Sequence, residues 1–401
     1  MPLTLDVGQP ILTWAPGGRG RLKRGRGQDC PPHRLRFFAL AALLLAPLHA
    51  EDTLLSKHKL EPGMIVWDGL ADGHSADGLP TSIMAMDRAG FHAIRLLLSP
   101  ASRRTYSLPP FRCAEGRSTL KCLVLSEPYV RALSAKNLDA VMFTAYDFTS
   151  FPRQHYLDPQ FLKTNRQQVF DEYRDLAETI MRTYSGSGRI FIVSHWEGDN
   201  QVYCGSSFKF QTIDDSRYVC LYQDPVTRLA GMAEWLKIRQ EAIAEGRKRA
   251  LAAGANNVEV YHAAEFNTIF ASRKVSGASI RSKDYKGVLD TVVPAVHPDI
   301  CSYSAWESVN RNRLTKDLQD IMKVCAPAPV IVGEIGDKDN PDKRYSKIVS
   351  SLLPLKESVP LVFFWQAFEP RVSKDPGFGL FDLDGKALHA KAVEQIRRLQ
   401  P

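Results

Sequence analysis

The residues able to do chemistry in this chain collect at the ends of short apolar runs. In chain order they are Arg95, Tyr146 and Asp147, His195, Trp196 and Glu197, His262 and Glu265, Tyr303, Trp306 and Glu307, Glu334, and Trp365 with Gln366. The set mixes carboxylates, one arginine and aromatic rings. It contains no nucleophile elbow with serine, aspartate and histidine in order, and no dense histidine cluster suited to a metal. Two carboxylic acids can work together at an acetal carbon, one protonating the departing oxygen and the other attacking. Such pairs stand about 5–5.5 Å apart when one is a nucleophile, and about 6.5–9.5 Å apart when a water fits between them. Aromatic rings offer flat apolar faces to the C–H bonds of a sugar ring. Glu197 and Glu334 are the expected pair, and their chemistry requires no metal and no organic cofactor.

Residues this far apart in sequence need a scaffold that brings them together. Apolar runs at 64–67, 93–98, 140–145, 189–194, 258–263, 300–304, 329–334 and 361–365 read as strands. Amphipathic stretches near 80–90, 128–137, 161–184, 225–253 and 387–399 read as helices. Eight strands alternating with helices or long loops predict an α/β fold, a (β/α)8 TIM barrel, with loop insertions after strands 2 and 4. Its active site belongs at the carboxyl ends of the strands. An open doubly wound sheet fits less well, because no glycine-rich nucleotide loop follows the first strand. Trp67, Tyr146 and Trp306 read as core or supporting residues rather than substrate contacts.

Within that frame the chain resembles the clan A retaining glycoside hydrolases, the cellulase- and mannanase-like superfamily, over roughly residues 60–400. Ile192-Val193-Ser194-His195-Trp196-Glu197-Gly198-Asp199-Asn200 stands where those enzymes carry the acid/base glutamate. Val330-Ile331-Val332-Gly333-Glu334-Ile335-Gly336 stands where they carry the nucleophile. The resemblance implies that Arg95 keeps Glu334 ionised, that Tyr303 hydrogen-bonds it, and that Trp365 floors the sugar subsite. It also implies a carbohydrate substrate, with His195, Trp196, Asn200, His262 and Glu265 near it. One departure stands out: the clan places Asn directly before the acid/base, to bind the substrate 2-hydroxyl, and Trp196 occupies that position here. Asn200 or His195 would then take the role, or Glu265 would be the acid/base instead. A barrel that binds carbohydrate without cleaving it and a transglycosylase are the competing readings.

Charge and cysteine place the chain outside the cytoplasm. Of the formal charge of +8, residues 1–50 carry +5, from seven Lys and Arg against two Asp, which leaves an ordinary +3 for the rest. Nucleic acid is therefore not an expected partner. Arg34 and Arg36 precede an apolar run, Phe37 to Ala46, followed by Pro47-Leu48-His49-Ala50. This reads as a leader with a signal peptide, residues 1–50, removed after Ala50, leaving residues 51–401 as one catalytic domain. The run is shorter than the roughly 20 residues a spanning helix needs, so stable membrane insertion is not expected. The product is expected to be exported, periplasmic or extracellular, and a monomer. The six cysteines of the mature chain lie in near pairs, Cys113/Cys122, Cys204/Cys220 and Cys301/Cys325. Nearest-neighbour disulfides are the first of 15 possible connectivities.

Overall fold

The structure, a computed structural model, describes residues 53–67, 77–111, 113, 116–204, 224–269, 286–369, 377–382 and 384–400. Eight parallel strands close into a barrel in chain order: β1 (Glu61–Val66), β2 (Ala93–Leu98), β3 (Ala140–Ala145), β4 (Ile190–Ser194), β5 (Glu259–Phe266), β6 (Ile300–Ser304), β7 (Val330–Ile335) and β8 (Leu361–Phe364). The seam is the pairing of β1 with β8, Glu61 opposite Leu361. Strands buried on both faces read as continuous apolar runs, and for β2, β3 and β6 the expected bounds coincide with the observed ones. β5 runs three residues past its expected end, so Glu265 lies within the strand.

Side chains alternate between the barrel interior and the helix layer. Ile65, Ala93, Met142, Ile190, Ile192, Ala263, Ile300, Ile331, Leu361 and Phe363 fill the interior, and Leu55 from the entering turn joins them. Their neighbours Val66, Ile94, Phe143, Phe191, Val260, Cys301, Val332 and Phe364 belong to the larger cluster under the helices. Parity therefore decides which residues can reach the mouth.

Helices α1 (Gly78–Arg88), α2 (Glu127–Leu133), α3 (Pro159–Thr183), α4 (Gly198–Val202), α5 (Pro225–Ala252), α6 (Trp306–Asn310), α7 (Leu314–Cys325), α8 (Pro341–Leu352) and α9 (Ala390–Arg397) account for most of the outer layer. The two long ones start on aspartate caps followed by proline: Asp158 accepts from the backbone of Gln160 and Phe161, and Asp224 from Thr227. They pack closely because residue 246 has no side chain; a Cβ there would stand 2.4 Å from the Arg174 carbonyl oxygen. No helix is expected from the sequence after β6 or β7. Yet Leu314, Leu318, Ile321 and Cys325 recur at helical spacing, and all are buried on one face of α7.

Disulfides join Cys113 to Cys122 and Cys301 to Cys325, with Cα atoms 5.7 and 6.4 Å apart. The first braces the excursion between β2 and α2; the second ties β6 to the end of α7. Cys220 of the expected Cys204–Cys220 pair, most of the insertion after β4, and the expected leader at residues 1–50 lie outside the described residues. Among the described residues no helix is long and apolar enough to cross a membrane.

Candidate active site

Arg95 on β2 points into the barrel, and its guanidinium joins four other strand ends. Nε–H donates to Thr144 Oγ1 of β3 at 2.9 Å. Nη1 donates to Glu265 Oε2 of β5 at 2.9 Å and to the Gly333 carbonyl of β7 at 2.7 Å. Nη2 donates to Glu265 Oε1 at 2.9 Å and to the His195 carbonyl after β4 at 3.2 Å. All five donors of the guanidinium are used. Burial works against the charge of Arg95, but Glu265 and then Glu334 oppose it, and the net effect raises its pKa. Glu265 is equally saturated: Ser302 Oγ donates to Oε2 at 2.8 Å, and the Glu197 backbone N–H to Oε1 at 3.0 Å. A carboxylate holding four donors, with no solvent exposure, is built as a counter-ion and scaffold. The geometry assigns Glu265 a different part from the acid/base role held open for it above.

Two further carboxylates stand on this hub. Strict alternation from Ile331 would aim Glu334 at the helices. The β6–β7 register shifts instead, with Tyr303 opposite Val332 but Ser304 opposite Glu334. Gly333 is the extra residue, and this bulge turns Glu334 into the mouth. Only glycine fits there, because a Cβ would fall 2.1 Å from Ser302 Oγ and 2.3 Å from Glu265 Oε2. Trp306 Nε1–H donates to Glu334 Oε1 at 2.8 Å, and Arg95 Nη1 lies 3.8 Å from Oε2. Glu197 caps α4 from left-handed backbone, φ 30° and ψ 71°, a conformation that costs a non-glycine residue of the order of 1–3 kcal/mol. The bond from its N–H to Glu265 holds it there. Its carboxylate accepts from Ser304 Oγ at 2.9 Å and from Asn200 Nδ2 at 2.5 Å. Ser304 thus touches Glu197 while sitting in register beside Glu334.

Burial pushes both carboxyls up, Glu197 to about 7 and Glu334 to about 8. Ser304 and Asn200 oppose the rise at Glu197. At Glu334 repulsion from Glu197 adds to burial, while Arg95 and the Trp306 N–H counter it. Two buried carboxyls that repel each other in this way share one proton near neutrality, and the titration belongs to the pair. One acid and one carboxylate in a single mouth is the division of labour that acid-assisted displacement requires.

The remaining expected residues divide by parity. Trp365, 8% exposed, closes the barrel interior with its ring centroid 5.9 Å from that of Trp67. Asn200 reaches Glu197 as described. Trp196 is half-buried; its N–H donates to the Tyr146 hydroxyl at 3.0 Å. His195 faces the helix layer, its ring centroid 5.8 Å from that of Trp235 on α5, and its Nε2 accepts the Glu265 backbone N–H at 3.1 Å. Burial and then Arg239 hold its pKa well below the usual imidazole range, so it is neutral. His195 is therefore turned away from the mouth where substrate was expected, and two further expectations fail with it. His262 has outward parity on β5 and binds Gln240 Oε1 of α5 through Nδ1 at 2.8 Å. Tyr303 has outward parity on β6, and its hydroxyl pairs with Ser308 Oγ at 2.7 Å rather than with Glu334. The inward residues beside them, Ser302 and Ser304, do the site's work, and Trp306 supplies the donor expected of Tyr303. Period-2 counting along Ile300-Cys301-Ser302-Tyr303-Ser304 carries that signal. Among the described residues no cluster of three or more His, Cys, Asp or Glu is arranged to hold a metal.

No protein-family model matches the chain, and no curated protein matches it in sequence. Solved structures do resemble it. A glycoside hydrolase family 5 lichenase from Caldicellulosiruptor, a mutant in complex with cellotetraose, aligns over 87% of this chain and 96% of its own, at 13% identity and a TM-score of 0.55. A family 5 enzyme from Streptomyces cattleya in complex with N-acetylglucosamine aligns over 86% and 81%, at 16% identity and a TM-score of 0.51. A broad-specificity endoglucanase from Bacteroides salanitronis aligns over 86% and 93%, at 13% identity and a TM-score of 0.50. At these identities, what the chain shares with clan A glycoside hydrolases is their eight-stranded (β/α)8 barrel.

Proposed function

We propose that the chain is an exported, retaining glycoside hydrolase that cleaves a β-linked oligo- or polysaccharide, with Glu197 as acid/base and Glu334 as nucleophile. The observation that carries this reading is the pair itself. Two buried carboxyls, one just after β4 and one near the end of β7, face a single mouth, with Ser304 bonded to Glu197 and opposite Glu334 in the β6–β7 register. Trp365, Trp67 and Trp306 around the mouth supply apolar faces for a sugar. The leader and the two disulfides support export.

In the first step a Glu334 oxygen bonds to the anomeric carbon as the glycosidic C–O bond breaks, and the departing oxygen takes the proton of Glu197. In the second, water attacks the same carbon, gives its proton to Glu197, and Glu334 leaves as a carboxylate. Two inversions return the sugar in its original configuration. Arg95 and Glu265 take no proton; they hold the backbone of Glu197 and Gly333 in place. The test is a panel of activated aryl β-glycosides and β-glucan or mannan polymers, with Glu334→Gln and Glu197→Ala beside the wild type. Cleavage lost in Glu334→Gln, and rescued in Glu197→Ala by azide with a β-azido sugar as product, is the expected result. Undiminished turnover in both variants would refute the assignment.

A further inference from the structure

We propose that Trp306 is the positioning residue of the nucleophile, fixing Glu334 Oε1 through its indole N–H so that Oε2 is the oxygen that attacks. The inference rests on reading Glu334 as the nucleophile. Four groups face that carboxyl: Arg95 from β2, Glu197 after β4, Glu265 from β5, and Trp306 on α6. The two glutamates repel it. Arg95 has committed its five N–H groups elsewhere and comes no nearer than 3.8 Å, on the Oε2 side. Among the described residues, the donor within hydrogen-bond distance of the Glu334 carboxyl is the Trp306 indole, 2.8 Å from Oε1. Its half-buried ring is wedged edge-on against Phe378, centroids 5.6 Å apart, which keeps the N–H aimed.

An indole N–H only donates, whereas a hydroxyl in its place could also accept a hydrogen bond from a protonated Glu334. Trp306 therefore favours the carboxylate at every stage. When Oε2 bonds to the anomeric carbon, Oε1 becomes the neutral carbonyl of an ester, and the hydrogen bond to it weakens. When water displaces the ester, Oε1 regains charge with its donor already in position. Trp306 thus assists the departure of Glu334, the second half of the reaction. Tyr303, next to last in β6 but turned to Ser308, has no part in this.

The experiment compares Trp306→Phe, Trp306→His and Tyr303→Phe on an activated aryl glycoside that the wild type cleaves, so that breakdown of the glycosyl-enzyme limits kcat. Loss of a hydrogen bond to a charged group lowers kcat about tenfold in Trp306→Phe. KM does not rise, and the acid limb of kcat/KM moves to higher pH. Trp306→His, which keeps an N–H, recovers part of both; Tyr303→Phe leaves both unchanged. A folded Trp306→Phe with wild-type kcat and acid limb overturns the proposal. An NMR titration of indole resonances in 15N-tryptophan protein needs no Trp306 variant. Of the six tryptophans, one indole signal follows the carboxyl pair through neutral pH in the wild type and ceases to do so in Glu334→Gln. Absence of such a signal also overturns it. Glu334→Gln with full activity overturns the reading beneath; a dead Glu334→Gln beside a silent Trp306→Phe overturns this inference alone.

Discussion

Replacing Arg95 by Met removes the cation from a fully buried ion pair and leaves Glu265 with Ser302 and the Glu197 N–H as its donors. Stranding one partner of a buried pair costs about 3–5 kcal/mol. The carbonyls of His195 and Gly333 and the Thr144 hydroxyl lose a donor as well, so the upper end of that range is expected. In Arg95→Met/Glu265→Gln no charge is stranded, and the amide oxygen of Gln can still accept from Glu197. The double variant therefore recovers about 3 kcal/mol relative to the sum of the singles. Urea unfolding followed by circular dichroism measures this, with constant m-values as the check on two-state behaviour. A cost for Arg95→Met below about 1 kcal/mol, or strict additivity in the double variant, would refute the hub as the organising element of the site.

Further outcomes follow from the same geometry. The folded protein holds protons on Glu197 and Glu334 up to about 7 and about 8, while the unfolded chain releases them near 4.5. Stability therefore falls as pH rises through that window and levels off above it. Glu334→Gln removes one of these groups, so it is more stable than the wild type by a margin growing to about 3 kcal/mol between pH 5 and pH 8; a margin independent of pH in urea titrations contradicts this. The alkaline limb of kcat/KM against pH falls near the titration of the pair, between about 7 and about 8, where the shared proton is lost. Gly333→Ala drives a methyl into Ser302 and Glu265, costing about 1–3 kcal/mol in urea unfolding and nearly all turnover; a wild-type midpoint and rate would show that the bulge has room to spare.

How far the site could be read from sequence depends on which physical signal each residue leaves. The eight strands are legible because burial on both faces makes them apolar throughout, and Arg95 inside β2, Glu197 after β4 and Glu334 near the end of β7 stand out as charges against them. That same continuity hides parity. In Glu259–Phe266 and Ile300–Ser304 the apolar and polar residues do not separate by face, so His262 and Tyr303 look as eligible as Glu265 and Ser304. Glu334 reaches the mouth only because Gly333 adds a bulge, and a glycine in a strand signals that possibility without locating it. Trp306 looks apolar in sequence, yet its one polar atom makes the contact that matters. Glu265 resembles a catalytic acid until its four donors are counted.

The measurement that tests the central claim most directly is mass spectrometry of the protein trapped with a 2-deoxy-2-fluoro aryl β-glycoside of the sugar it cleaves. The account predicts a mass increase of one fluorosugar per chain, carried after peptic digestion by the peptide containing Glu334, and no trapping in Glu334→Gln. A fluorosugar carried by Glu197 or Glu265, or steady turnover of the parent glycoside with inverted product and no adduct, would contradict it.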